Sequence, residues 1–325
     1  MKKFFAVFIL VFLVCQVQAA DYTNREDVSE FIDELVTKEN FDRAALEAVF
    51  AQAEKKESII KAISRPAEKV KPWKDYRKIF VTDTRAEQGV AFWKKHASVI
   101  EDVSRAMEVE PEIIVAIIGV ETRYGENTGS YRVIDALSTL AFDYPPRGSF
   151  FRGQLKEFFL LAREQHQPPL SLKGSYAGAM GYGQFIPSSY RAYAVDFDQD
   201  DFADIWNNPA DAIASVANYF KRHGWEQGEP VISRCLLSED ADKSVVTEGL
   251  KPDSTVGELI AKGFTPVDDL PPETAAALYE LEGEYGPEYW MGLNNFYVIT
   301  RYNHSNMYAL SVYQLSQDIL RLMES

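Results

Sequence analysis

The run Pro111-Glu-Ile-Ile-Val-Ala-Ile-Ile-Gly-Val-Glu121-Thr-Arg-Tyr-Gly125 is almost wholly apolar up to a charge that arrives at its end. Proline suits the first turn of a helix and glycine suits its stop, so the run predicts one helix over 111–125. Ile117 and Ile118 precede Glu121 by four and three residues and therefore share its face. A carboxylate held against isoleucines is desolvated, which raises its pKa and leaves a proton available near neutral pH. That is what a general acid needs. The plainer alternative is a helix-end glutamate that bends out to solvent or pairs with Arg123.

The chain has 325 residues, enough for about two domains with real cores. A net charge of −15 argues against nucleic acid as a partner, because phosphate neutralisation needs clustered Lys and Arg. It is compatible with a neutral polymer or a cation. At the start, Lys2 and Lys3 precede the apolar stretch Phe4 to Val14, and Val17-Gln18-Ala19 reads as a cleavage site. This is the pattern of a secretory signal peptide over 1–20, and it predicts a periplasmic protein. The stretch is too short to span a bilayer. Cys15 offers a second route, lipidation to an outer-membrane lipoprotein, but Val14 stands where Gly, Ala or Ser is usual. With Cys15 removed, Cys235 is the only cysteine, so an intrachain disulfide is excluded and Cys235 is expected as a small buried hydrophobe.

Apolar residues at helical spacing predict helices from Asp21 to about Val70, over Ala86–Met107, Val133–Leu140, Ser149–Gln165 and Ser305–Met323. Asn208 followed by Pro209 marks the start of another, running to Arg222. Trp73–Thr84 reads as an extended or loop crossing, and Tyr144-Pro-Pro-Arg-Gly148 as a loop. Beyond Trp225 the segments 230–237, 244–248, 264–270 and 296–301 are short and rich in β-branched residues. They predict a small antiparallel β region with helical inserts.

Three further stretches carry chemistry. Ser175 to Tyr190 interleaves three glycines with Met180, Tyr182 and Gln184. It lacks the Lys and Ser/Thr of a phosphate loop, leaving a glycine-lined helix contact or a groove that admits a sugar polymer. Asp196-Phe-Asp-Gln-Asp200-Asp-Phe-Ala-Asp204 sets carboxylates at alternate positions, as a Ca²⁺-binding EF-hand loop does. Position 6 is Asp201 where glycine is usual, position 12 is Asn207, and Asp211 could close a longer loop. The alternative is a solvated acidic turn. The fourth stretch, Ile299 to Ser305, holds Tyr302-Asn303-His304. Only 4 His are present, with no His-Glu-x-x-His or Gly-x-Ser-x-Gly motif, which disfavours zinc and serine hydrolases.

In this order, Val120-Glu-Thr-Arg-Tyr-Gly125, Gly178-Ala-Met-Gly-Tyr-Gly-Gln-Phe185, the acidic loop from Asp196, Val216-Ala-Asn-Tyr-Phe220 and Arg301-Tyr-Asn-His-Ser305 resemble the lytic murein transglycosylase B family, glycoside hydrolase family 103. The resemblance runs from about residue 25 to the C-terminus. It implies an α+β, mainly α fold: a lysozyme-like core over 111–225, a helical domain over 21–110 joined by the C-terminal helix 305–325, and a small β domain over 226–304. It implies a lytic transglycosylase that cleaves the β-1,4 bond between N-acetylmuramic acid and N-acetylglucosamine of peptidoglycan and leaves a 1,6-anhydro ring, with Glu121 as the single catalytic acid. A water-adding muramidase and a non-catalytic peptidoglycan-binding factor are the alternatives.

By motif position, the substrate contacts implied are Ser175, Tyr182, Gln184, Tyr219, Tyr302, Asn303 and Tyr308, with Tyr76, Arg147 and Met180 beside them. Pro146 stands where the family often has a second basic residue. The cation ligands implied are Asp196, Asp198, Asp200, the carbonyl of Phe202, and Asp211, holding a structural Ca²⁺. No organic cofactor is expected. Glycan strands are the expected partner, with cell-wall synthases as candidate protein partners of a monomeric chain.

Overall fold

The computed structural model describes residues 21–64 and 71–324; the expected signal peptide and Cys15 lie outside them. The chain divides into two compact units, one ending at Lys55 and one starting at Lys56. In the first, α1 (Glu26–Glu39) and α2 (Arg43–Phe50) form a helical hairpin. Asn40 closes α1 in the left-handed conformation, and the Asp42 side chain caps α2 by accepting the Ala45 N–H at 2.8 Å. Phe31 and Phe50 meet edge to face across the hairpin.

The second unit begins with α3 (Glu57–Ile63), α4 (Trp73–Phe80), α5 (Asp83–Lys95), α6 (Ala97–Met107) and α7 (Pro111–Thr122). Two short strands, β1 (Tyr131–Arg132) and β2 (Lys173–Gly174), bracket α8 (Val133–Asp143) and α9 (Gly148–Glu164). Then come α10 (Pro187–Tyr193) and α11 (Pro209–Arg222), whose cap is Asn208 as the sequence indicates. Helix α7 is buried on every side from Ile113 to Val120, as an all-apolar helix must be. Around it pack α5, α6, α11 and the last helix, α14 (Asn306–Glu324).

Residues 73–84, expected to be extended, form α4 and the start of α5 instead. Trp73, Tyr76 and Phe80 recur at helical spacing and pack on the large core, so tertiary burial decides the segment. The 3-10 turn Pro145–Arg147 carries the two prolines, and α9 already starts at Gly148.

The β region is a five-stranded antiparallel sheet in the order β4-β6-β7-β3-β5. Its strands are β3 (Ile232–Leu237), β4 (Ser254–Thr255), β5 (Phe264–Pro266), β6 (Ala275–Gly283) and β7 (Gly286–Gly292). The expected strand at 244–248 is a 3-10 turn at Lys243–Val245, held by the Asp242 carboxylate accepting the Ser244 N–H. The expected strand at 296–301 is helix α13 (Asn294–Tyr302), which buries Phe296, Val298 and Ile299 against the large core. The two longest strands, β6 and β7, were not expected. Alternation along β6 sends Ala277, Tyr279 and Leu281 into the large core. Ala276 and Leu278 face a second core, which includes Cys235 and the Val256 and Leu259 of α12 (Val256–Ala261). The large core runs without a gap across the divisions expected at residues 110 and 225.

Candidate active site

At the end of α7 three consecutive residues, Arg123, Tyr124 and Gly125, take left-handed backbone conformations. They stop the helix and leave Glu121 in its last turn. Glu121 does not pair with Arg123, whose guanidinium donates to Gln88 Oε1 at 2.9 Å and lies near Glu126. Instead the Tyr308 hydroxyl, from the first turns of α14, donates to Glu121 Oε1 at 2.5 Å. Glu121 keeps part of its surface, yet protein surrounds the carboxyl. Burial pushes its pKa up to about 7, and the Tyr308 hydrogen bond pulls weakly the other way. Neither cause is another carboxylate. Burial and the adjoining Glu121 charge push the Tyr308 and Tyr302 hydroxyls well above the ordinary range, so both remain proton donors. Tyr76 of α4 is raised by the same two causes and so also lies within the field of Glu121.

The glycine-rich stretch folds as a tight loop rather than a helix contact. Met180 and Phe185 exchange two main-chain hydrogen bonds of 2.9 Å, and Gly181 to Gln184 turn between them. Tyr302 donates its hydroxyl to the Gly183 carbonyl at 2.6 Å, and a Cβ on Gly183 would lie 2.7 Å from that hydroxyl. Thr122 donates to the Tyr182 carbonyl at 2.9 Å, which ties this loop to the residue next to Glu121. The Tyr182 ring covers Gly125 so closely that a Cβ there would sit 2.4 Å away. Gln184 spends its amide on the Thr128 and Gly181 carbonyls, and Ser175 Oγ accepts the Ala179 N–H at 3.1 Å.

The structure thus brings Tyr76, Tyr302 and Tyr308 to Glu121, and Tyr182 to the adjoining turn. Tyr219 packs against Tyr302 with ring centroids 4.7 Å apart and against His223 at 4.0 Å. Asn303 is exposed just after α13. Two expected contacts fare differently. Met180 is 0% exposed, so its side chain supports the loop from within and offers no surface to a ligand. Arg147 stacks over the Phe150 and Phe151 rings on the exposed start of α9. Sequence reasoning missed Thr122, Tyr124 and Arg85, which brace the turn; Gly119 inside α7 was the available signal, since a mid-helix glycine marks a close neighbour.

Asp196 and Asp198 of the acidic loop and Asp211 of the first turn of α11 bring carboxylate oxygens within 4.8 Å of one another. Asp201, standing where a glycine is usual, adopts the left-handed turn regardless, with φ 72°. Asp200 does not join the group: it accepts the Phe202 N–H at 3.0 Å. The Phe202 carbonyl accepts the Asp204 N–H at 2.8 Å. Asp196 likewise accepts the Asp200 and Asp201 N–H groups, and Asp211 those of Phe197 and Asp204, so main-chain donors orient the carboxylates throughout this turn. The loop also touches the glycine-rich turn, since Tyr182 N–H donates to the Ile205 carbonyl at 3.0 Å.

A mostly helical core around a buried helix that carries Glu121 in its last turn, with the carboxyl held by the Tyr308 hydroxyl, has the architecture of a lysozyme-like enzyme. The chain belongs to the lytic transglycosylase family: the family model described as the transglycosylase SLT domain matches residues 23–317. It is 44% identical over 308 residues to the membrane-bound lytic murein transglycosylase B of Escherichia coli K12, covering 92% of this chain and 84% of that one. The crystal structure of catenated lytic transglycosylase SltB1 from Pseudomonas aeruginosa is similar at a TM-score of 0.90 and 54% identity, covering 93% of this chain and 99% of that one. The Escherichia coli lytic transglycosylase Slt35 in complex with calcium is similar at a TM-score of 0.86 and 42% identity, covering 94% and 96%.

Proposed function

We propose that the chain cleaves the β-1,4 bond between N-acetylmuramic acid and N-acetylglucosamine in peptidoglycan and releases 1,6-anhydromuropeptides, with Glu121 as acid and then base. The observation that carries this reading is the placement of Glu121 in the last turn of the buried helix α7, its carboxyl held by the Tyr308 hydroxyl at 2.5 Å where burial raises its pKa. Most glycosidases need a partner carboxylate, as nucleophile or to activate water. Here Glu121 gives its proton to the leaving glycosidic oxygen as the bond to the anomeric carbon breaks. The acetamido oxygen of the muramic acid shares the positive charge that develops there. The C6 hydroxyl of the same sugar then attacks the anomeric carbon, and the Glu121 carboxylate takes its proton. The proton balance closes on one residue and no water is consumed.

Tyr76, Tyr182, Tyr219, Tyr302 and Asn303 supply the stacking faces and polar atoms of the groove, while Tyr308 holds the acid. Ser175 and Gln184 meet polar groups near the cleaved bond, and Arg147 meets the carboxylates of the peptide stem or lactyl group. Asp196 and Asp198 of the acidic loop and Asp211 of the first turn of α11 hold a calcium ion; three hard oxygen donors fit that ion, and Asp200 and Phe202 belong to the same loop as the first two. Bound there, the ion neutralises crowded carboxylates and takes no part in proton transfer. Lys2, Lys3 and the apolar stretch after them export the protein to the periplasm. Among the described residues no helix is long and apolar enough to cross a membrane.

The test is digestion of purified sacculi by the protein and by Glu121→Gln. The native chain is expected to release soluble muropeptides, and the variant to bind sacculi with turnover reduced at least ~10³-fold, the scale of losing an essential catalytic proton donor. Binding without release by the native chain identifies a non-catalytic factor instead.

A further inference from the structure

Among the described residues Arg85 is a cation kept without a counter-ion. Its guanidinium donates to the Gly119 carbonyl at 2.6 Å and to the Ile79 carbonyl at 3.4 Å, while Nε is buried with no acceptor at all. Burial disfavours its charge. The groups facing it are Tyr124, Arg123 and Glu126, and none of them makes an ion pair with it among the described residues. A buried donor left unsatisfied in a native fold calls for an explanation.

The surrounding geometry supplies one. Gly119 lies in the last turn of α7; its carbonyl accepts the Arg123 N–H at 3.1 Å as well as the guanidinium, and the partial negative charge of the helix end attracts a cation. The Tyr124 hydroxyl donates back to the Arg85 carbonyl at 2.8 Å, and its ring fills the space over Gly119, where a Cβ would lie 2.5 Å from the hydroxyl. Arg85, Gly119 and Tyr124 therefore close a ring of contacts around the last turn of α7, which carries Glu121 two residues after Gly119. The guanidinium also lies 5.6 Å over Phe80 of α4, and Phe80 packs on Tyr76, which faces Glu121. One side chain thus joins the helix that carries the carboxyl to the helix that carries a tyrosine beside it.

We infer that Arg85 is a positioning residue for this reaction: it clamps the last turn of α7 to α4 and so keeps the Glu121 carboxyl seated against Tyr308. It touches neither the acid nor the glycan. Loosening the clamp lets water reach a carboxyl otherwise faced by Tyr308, Tyr302 and Tyr76. The proposal rests on Glu121 being the acid, so its test reads the carboxyl itself as well as turnover.

Glu121 is titrated by carbon-13 NMR of glutamate-labelled protein, with Glu121→Gln identifying its signal, in the native chain and in Arg85→Ala, Arg85→Lys and Tyr124→Phe. In Arg85→Ala the midpoint is expected to fall toward the ordinary carboxylate value. The alkaline limb of kcat should move with it, and kcat should drop by on the order of tenfold with KM held. Arg85→Lys, which keeps one donor for Gly119, should recover part of both. If Arg85→Ala does not fold, the lysine and Tyr124→Phe variants carry the same test with smaller shifts. A midpoint unchanged in every folded variant, with only the melting temperature lowered, overturns the proposal. A shifted midpoint in a protein whose Glu121→Gln form stays active overturns the acid assignment and leaves the positioning intact.

Discussion

Glu121 sits where its charge is disfavoured, and that has a consequence for stability as well as for catalysis. Its pKa in the fold is about 7, against 4.5 for a free glutamate. Between those values the unfolded chain has given up a proton that the folded chain still holds, so stability falls as pH rises through this window. Below it both states are protonated and nothing is lost. Discounted because the side chain keeps part of its surface, the shift corresponds to about 2 kcal/mol. Glu121→Gln is therefore expected to be more stable than the native chain by roughly that amount above pH ~7, with the gain vanishing below pH ~4.5. Denaturant titrations at pH 4 and pH 8 check this, and an equal difference at both would contradict it. The direction of that shift was legible from the apolar run that leads to Glu121. The hydrogen bond from Tyr308 was not, because it joins residues far apart in sequence.

At the scale of elements, the close packing of α7 against α5 and α14 depends on small residues. Gly119 and Gly89 both admit the Tyr124 hydroxyl, and a Cβ on either would approach it within 2.6 Å. Gly119→Ala should displace Tyr124 and cost about 1–3 kcal/mol, the usual penalty of overpacking a filled core. Chemical denaturation gives the cost, and unchanged stability would mean that Tyr124 moves freely.

Helices with a strong period or a clear start, such as α7 and α11, were readable from their residues. Failures came where packing overrode local flavour. Trp73 to Phe80 has aromatic and charged residues that look irregular until their three-and-four spacing meets the core. Phe296 to Thr300 is β-branched and aromatic, yet it is helical because both flanking elements deliver it to the core as α13. The reverse holds for β6, whose Ala, Leu and Glu are good helix formers placed between two cores.

At the scale of the whole second unit, two loops from different parts of the chain meet near α7. The acidic loop contacts the glycine-rich turn through Ile205 and Tyr182, and Tyr302 holds the other side of that turn through Gly183. A cation on Asp196, Asp198 and Asp211 should therefore stabilise the folded unit, by about 2.7 kcal/mol at a hundredfold excess over Kd. Added Ca²⁺ should raise the melting temperature and a chelator should lower it; no response to either would reduce the loop to an acidic turn. The candidate site was legible in the sequence as four separate stretches. Their convergence was not, because it depends on α13 and α14 returning Tyr302 and Tyr308 to the end of α7.

The account stands or falls on one carboxyl serving as acid and then base. Mass spectrometry of the muropeptides released from purified peptidoglycan tests this most directly. The expected products carry 1,6-anhydromuramic ends and are lighter by one water than hydrolysis products. Reducing ends, each heavier by that water, would show that a second group activates water and would contradict the single-residue mechanism.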